Sequence, residues 1–147
     1  MLKFKRVEYT TLNSRQMETF NFQKVSGLLA EYGYATLRLT DDWNGADFLA
    51  VHVNGITTLR VQLKGRLTFR QKYMKKNLWL CFRYDGLVCL YPHDTLLTHT
   101  LKVTNIARTK SWLKPDGGYS FRTPPEALVT ALKKYCLGCE SAPAATT

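Results

Sequence analysis

The sequence predicts an α/β domain, with one mixed β-sheet flanked by helices. Three observations lead there. Apolar residues over 14–32 recur at helical spacing; the segments between 34 and 64 are rich in β-branched and aromatic residues; and Asn54-Gly55 and Asp85-Gly86 fall between apolar segments, where hairpins turn.

Asn13 and Gln16 have the spacing of a capping box at the start of the helix over 14–32, and Gly33 supplies its stop. Phe22, Val25, Leu29 and Tyr32 share one face of that helix. Glu18 lies at the centre of the same stripe, one turn before Phe22. Its carboxylate is expected to point towards the protein body, where it needs a partner. A short strand follows at 34–39, then a polar turn at 40–45. Segments 47–53 and 57–64 read as strands joined by a two-residue turn at Asn54-Gly55. A second hairpin is expected between 78–83 and 87–91. Residues 92–100 predict a short helix with Pro92 in its first turn. Residues 101–123 read as irregular, with a turn through Pro115, Asp116, Gly117 and Gly118. Pro124 or Pro125 opens a last helix to about Tyr135.

The 147 residues fit one domain, taken as 1–137, and the small polar residues at the end predict a disordered tail over 138–147. With 45% hydrophobic residues the chain can build a core. Lys and Arg number 21 against 11 Asp and Glu, a net charge of +10 that points to a polyanionic partner. No apolar run approaches the roughly 20 residues a membrane span requires. The N-terminus lacks the apolar core of a signal peptide. A cytoplasmic protein without a membrane partner, its four cysteines reduced, is the expectation.

The first hairpin can be given a register. A two-residue turn at Asn54-Gly55 pairs Val53 with Ile56, and counting outward brings Asp47 opposite Gln62. Directly opposed residues share a face, and Lys64, two positions beyond Gln62, lies on that face too. Val61 and Leu63 point the other way. Hydrolysis of a phosphodiester calls for a hard cation that polarises phosphoryl oxygens and lowers the pKa of water. Magnesium takes one or two carboxylates, neutral oxygens and retained waters. Asp47 offers the carboxylate, the Gln62 amide and the Leu63 main-chain carbonyl offer neutral oxygens, and Glu18 can hold a metal-bound water or a second metal. Lys64 is a compact cation suited to orienting the attacking water or stabilising developing charge.

Asp47 followed, after fourteen residues, by Gln62-Leu63-Lys64 resembles the bipartite motif of the PD-(D/E)XK, or restriction-endonuclease-like, nucleases. The order of helix, strand and motif-bearing hairpin is similar to that core, and Glu18 stands where many members carry an acidic residue on the first helix. The resemblance spans roughly residues 12–64. It extends in organisation to Holliday-junction resolvases, restriction enzymes and small homing endonucleases. It also extends to a bacterial branch with the segment DDWNGADF followed by VQLKGR and a Gln-x-Lys variant of the motif. Ala46 stands where proline is common, and Gln62 replaces the usual acid. The family core carries a helix after the motif lysine, and none is evident before Leu78. The resemblance implies a magnesium-dependent endonuclease acting on DNA, with manganese as a substitute, catalytic residues Asp47, Gln62, Lys64 and Glu18, and a homodimer that pairs two sites.

Residues 59–76 contain Arg60, Arg66, Arg70, Lys72, Lys75 and Lys76 as well as Lys64, with Phe69 and Tyr73 interleaved and no acid. Such a strip suits a phosphate backbone, of DNA or of RNA; its plainer reading is a charged strand edge. Cys136 and Cys139 have the spacing of half a zinc knuckle, with Cys81 and Cys89 as the conceivable other half, but buried core cysteines are the simpler reading. His93 reads as a surface or capping residue, and Trp112 and Tyr119 as anchors of a long connection. The alternatives to a nuclease are a catalytically inactive nucleic-acid-binding module of the same fold, and an accessory component of a defence or mobile-element system that binds a protein partner.

Overall fold

The computed structural model describes residues 1–138. The expected tail over 138–147 lies, apart from Gly138, outside the described residues.

Helix α1 spans Ser14–Glu31 and both halves of the predicted capping box form. Asn13 Oδ1 accepts the Gln16 N–H at 2.9 Å, and the Asn13 N–H donates to Gln16 Oε1 at 2.9 Å. Gly33 ends the helix at φ +86°, a conformation that favours glycine. The apolar stripe buries Val25 and Leu29 completely, and Phe22 packs against the same core.

Strand β1 (Tyr34–Trp43) runs through the segment expected to be a turn and pairs antiparallel with β2 (Ala46–His52). Asn44 and Gly45 form the two-residue connection, at φ +53° and +87°, closed by Trp43 opposite Ala46. Both central residues are left-handed, as a type I′ turn requires. A Cβ on Gly45 would meet Leu78 Cδ1 at 2.8 Å, so this turn also needs glycine for space.

Strand β3 (Thr58–Leu63) pairs antiparallel with β2. The predicted register holds, with Phe48 opposite Val61 and Val51 opposite Thr58. The turn differs from the expected two-residue form. The last cross-strand bond joins the His52 N–H to the Thr57 carbonyl, and Asn54 Oδ1 accepts from the N–H groups of Ile56 and Thr57. This side-chain turn replaces the backbone turn, and Val53 donates instead to the Gly33 carbonyl.

The chain then forms β4 (Leu67–Arg70) and a 3-10 turn (Gln71–Tyr73), without an α-helix, before β5 (Leu78–Tyr84) joins β3 in parallel. β6 (Leu87–Pro92) completes the second predicted hairpin, turning at Asp85-Gly86. Helix α2 (His93–Val103) is longer than expected. The region read as irregular holds a short helix α3 (Lys110–Leu113) and strand β7 (Gly118–Phe121). Helix α4 (Glu126–Lys133) and a two-residue strand β8 (Cys136–Leu137) follow.

Among the described residues the strands make a six-stranded mixed sheet, ordered β1-β2-β3-β5-β6-β8, and a two-stranded ribbon of β4 and β7. Alternation along β5 and β6 sorts the core into two faces. Cys81, Val88 and Leu90 pack with α1; Leu80, Phe82 and Tyr91 pack with Leu96 and Leu97 of α2 and Leu128 and Leu132 of α4. The fold is therefore the predicted mixed α/β sheet flanked by helices. No described helix is long and apolar enough to cross a membrane.

The expectation of reduced cysteines is corrected. Cys89 and Cys136 face each other across β6 and β8 and form a disulfide, while Cys81 is a free buried thiol.

Candidate functional site

The β2–β3 pairing ends at Phe48 opposite Val61, and Asp47 and Gln62 are the next residues outward. Asp47 Oδ2 accepts the Leu63 N–H at 2.8 Å, which pins the carboxylate to the end of the β2–β3 hairpin. Gln62 sits beside Leu80 in the parallel β3–β5 pair and is half-buried, so it shares the α2 face of the sheet. Its amide has no hydrogen-bond partner among the described residues. Lys64 leaves the strand with its N–H on the Cys81 carbonyl at 2.8 Å. Its Nζ lies 5.3 Å from the centroid of the Tyr73 ring, and Lys72 Nζ lies 5.4 Å from the same centroid. The buried phenol thus holds two cations near its π-face.

Glu18 does not point into the body. Its side chain is 61% exposed and pairs with Arg38 at 3.3 Å. Arg38 causes this: its guanidinium rises from β1 over the Phe22 ring, 5.2 Å from the centroid, and meets Glu18 and Thr19 at the surface. Glu18 and Asp47 nonetheless open onto one cleft of about 570 Å³, together with Arg15, Arg38 and Asp41. Asp41 was read as part of a turn; only the extension of β1 brings it to this wall, and no local pattern signals it. Among the described residues no three His, Cys, Asp or Glu side chains gather closely enough to hold a metal ion. Lys64 lines a different cleft, with Arg66 and Arg70.

The basic strip is divided by the fold. Arg66 and Arg70 accompany Lys64, whereas Arg60, Lys75 and Lys76 surround a separate cleft with Asn44 and Asn77. Arg60 donates to the Lys76 carbonyl at 3.4 Å, and Lys72 is drawn to Tyr73.

His93 is not a surface residue. It is fully buried at the start of α2, where Nε2 accepts the Arg70 N–H at 3.1 Å. Nδ1 therefore carries the proton and donates to Asp94 Oδ1 at 2.8 Å. Asp94 Oδ2 accepts the Lys75 N–H at 2.8 Å, so the pair clips the 70–75 segment to α2. Burial lowers the His93 pKa more than Asp94 raises it. The zinc set does not assemble. Cys89 and Cys136 are bonded to each other, and Cys81 lies in the opposite core, its pKa pushed up to about 12 by burial. Cys139 lies outside the described residues. Trp112 is buried, and Tyr119 packs on Phe121 at 4.7 Å, as anchors of the connection should.

No protein-family model and no curated relative matches the chain. Among solved structures it is similar to the Holliday junction resolvase Hjc of the archaeal hyperthermophile Archaeoglobus fulgidus. The likeness has 14% identity and a TM-score of 0.41, and it covers 52% of this chain and 72% of that one.

Proposed function

We propose that the protein is a metal-dependent nuclease that hydrolyses phosphodiester bonds in DNA, with its centre at the end of the β2–β3 hairpin. The observation that carries the proposal is the Asp47 carboxylate held on the Leu63 N–H at the end of the hairpin, with Gln62 and Lys64 on either side of that residue in the chain. The donor chemistry suits a hard cation. Asp47, the Gln62 amide oxygen, the Leu63 carbonyl and Glu18 are all oxygen donors, the set that magnesium or manganese accepts. The Glu18–Arg38 pair is exposed and worth at most about 1 kcal/mol, so Glu18 can turn to a ligand at little cost. When bound, the metal supplies Lewis-acid polarisation of a phosphoryl oxygen and an acidified water. Asp47 contributes negative charge held in place before substrate arrives. Lys64 contributes a cation whose ammonium lies over the Tyr73 ring and can turn to meet a phosphoryl oxygen. Arg60, Arg66, Arg70, Lys72, Lys75 and Lys76 carry the electrostatic attraction, and RNA satisfies the same charges. A homodimer in the cytoplasm is part of this reading.

The test is cleavage of supercoiled plasmid, linear duplex, single-stranded DNA and RNA by purified protein with magnesium or manganese. Cleavage that disappears in Lys64→Ala, and in Asp47→Ala with DNA binding retained, supports the proposal. Absence of cleavage of every substrate overturns it. A specific observation favours the inactive nucleic-acid-binding module as second reading: glutamine at position 62 leaves no close triad of acidic side chains among the described residues. Retained binding without cleavage selects that reading.

A further inference from the structure

The ribbon of β4 and β7 is not used by the Asp47 centre. Leu67 pairs with Phe121, Thr68 with Ser120, and Arg70 with Gly118. Alternation sends Leu67 and Phe69 into the core and turns Arg70 and Ser120 outward. Thr68 Oγ1 and Ser120 Oγ lie 3.1 Å apart across the ribbon.

Lys64, Arg66, Thr68, Arg70 and Ser120 border a cleft of about 380 Å³. Through Thr68, Arg70 and Ser120 it continues into a second cleft, of about 350 Å³, reaching Ser111 and Lys114. Neither lining includes a carboxylate. In a surface kept only for solubility, charges of both signs would be interspersed. Gly118 shapes the junction. A Cβ there would come within 2.9 Å of Arg70 Cγ, so glycine lets the arginine lie across β7. Ser111 Oγ donates to the Gly118 carbonyl at 2.5 Å, which fastens α3 to the ribbon and brings Lys114, its C-terminal cap, to the cleft.

We propose that this joined groove is a track for the phosphodiester backbone of a nucleic-acid strand, running from Lys64 past Arg66 and Arg70 to Lys114. The inference rests on the nucleic-acid reading above and extends it to residues from the C-terminal half of the chain. Arg70 comes from β4, Lys64 and Arg66 from the connection that precedes it, and Lys114 from the end of α3, so cations from three segments line one groove that an extended anionic polymer can follow. The Thr68 hydroxyl donates to the Arg66 carbonyl at 2.9 Å and so holds that residue at the groove.

Fluorescence anisotropy of a labelled duplex and a labelled single strand, across a salt series, tests the track. Lys114→Ala weakens binding evenly across sequences and lowers the magnitude of the log K against log salt slope by about one. Lys114→Glu weakens it further, and Lys114→Arg retains it. Unchanged affinity and slope in Lys114→Ala and Lys114→Glu, with native circular dichroism, overturn the track. The same preparations are assayed for cleavage with magnesium. Loss of binding in the Lys114 variants of a protein that never cleaves keeps the track and removes the nuclease. Cleavage with binding indifferent to Lys114 removes the track and keeps the nuclease. Displacement of duplex by polyglutamate as effectively as by unlabelled duplex also overturns the track, in favour of an acidic protein partner.

Discussion

Asp47 Oδ2 accepts the backbone N–H of Leu63 at 2.8 Å, so the carboxylate at the centre of the candidate site is also a strut between β2 and β3. A single alanine variant confounds those two roles. Asparagine separates them, because its side-chain oxygen can still accept the Leu63 N–H while the charge is gone. Asp47→Asn is expected within about 1 kcal/mol of wild type in urea unfolding, and Asp47→Ala about 1.5–3 kcal/mol below it. Both should lose plasmid nicking and any rise in Tm on adding magnesium. Nicking by Asp47→Asn at the wild-type rate would remove Asp47 from the metal ligands.

Tyr91 is expected to govern the seating of the β4–β7 ribbon. Its hydroxyl donates to the Thr68 carbonyl at 2.7 Å and accepts the Thr68 N–H at 3.0 Å, deep in the core. One side chain therefore satisfies both backbone groups of a residue outside the main sheet. Tyr91→Phe strands them and should cost roughly 2–4 kcal/mol. Hydrogen exchange at the Thr68 amide should accelerate more than at Val61. Unfolding free energy equal to wild type would show that the ribbon does not depend on this hydroxyl.

The register of the motif hairpin was legible because apolar alternation over-determines it. Phe48 and Ala50 of β2 face α1 with Val61 of β3, and a one-residue slip would turn the slipped strand's side chains to the other face of the sheet. The turn was less legible. Two Asn-Gly pairs compete, and Asn44-Gly45 takes the two-residue turn while the Asn54 side chain caps a wider loop. The exposure of Glu18 depends on Arg38, twenty residues away in sequence, which no helical periodicity reveals. β4, β7 and β8 went unseen for a related reason. Strands of four and two residues are too short to show a period, and their partners are distant, as Leu67 is from Phe121.

His93 gives the fold a pH dependence with a definite sign. Burial holds its folded pKa below the usual histidine value of about 6.5. Between those two pKa values the unfolded chain binds more protons than the folded one, so stability rises with pH across that window. The contribution is complete above about pH 6.5 and is lost as pH falls towards the folded pKa, below which the loss levels off. Thermal unfolding in a pH series should show this slope, and His93→Gln should flatten it. A protonated ring can no longer accept the Arg70 N–H, so exchange at that amide should rise in the same window. A slope unchanged in His93→Gln would assign the dependence to other groups.

The Cys89–Cys136 bond closes a separation of 47 residues and is the covalent hold on β8, a strand of two residues at the sheet's edge. Two ladder pairs alone, Val88 with Leu137 and Cys89 with Cys136, give such a strand little independent stability. Reduction should therefore free it and lower the unfolding free energy by roughly 2–4 kcal/mol, because the unfolded chain regains the entropy that the closed loop denied it. Cys136→Ser should reproduce the loss and make stability indifferent to reductant. Cys81, buried and with its pKa pushed up to about 12, should stay unreactive to thiol reagents in the folded protein under both conditions. A Tm unmoved by reductant, in protein whose Cys89 and Cys136 both label as free thiols when unfolded beforehand, would show that β8 is held by packing alone.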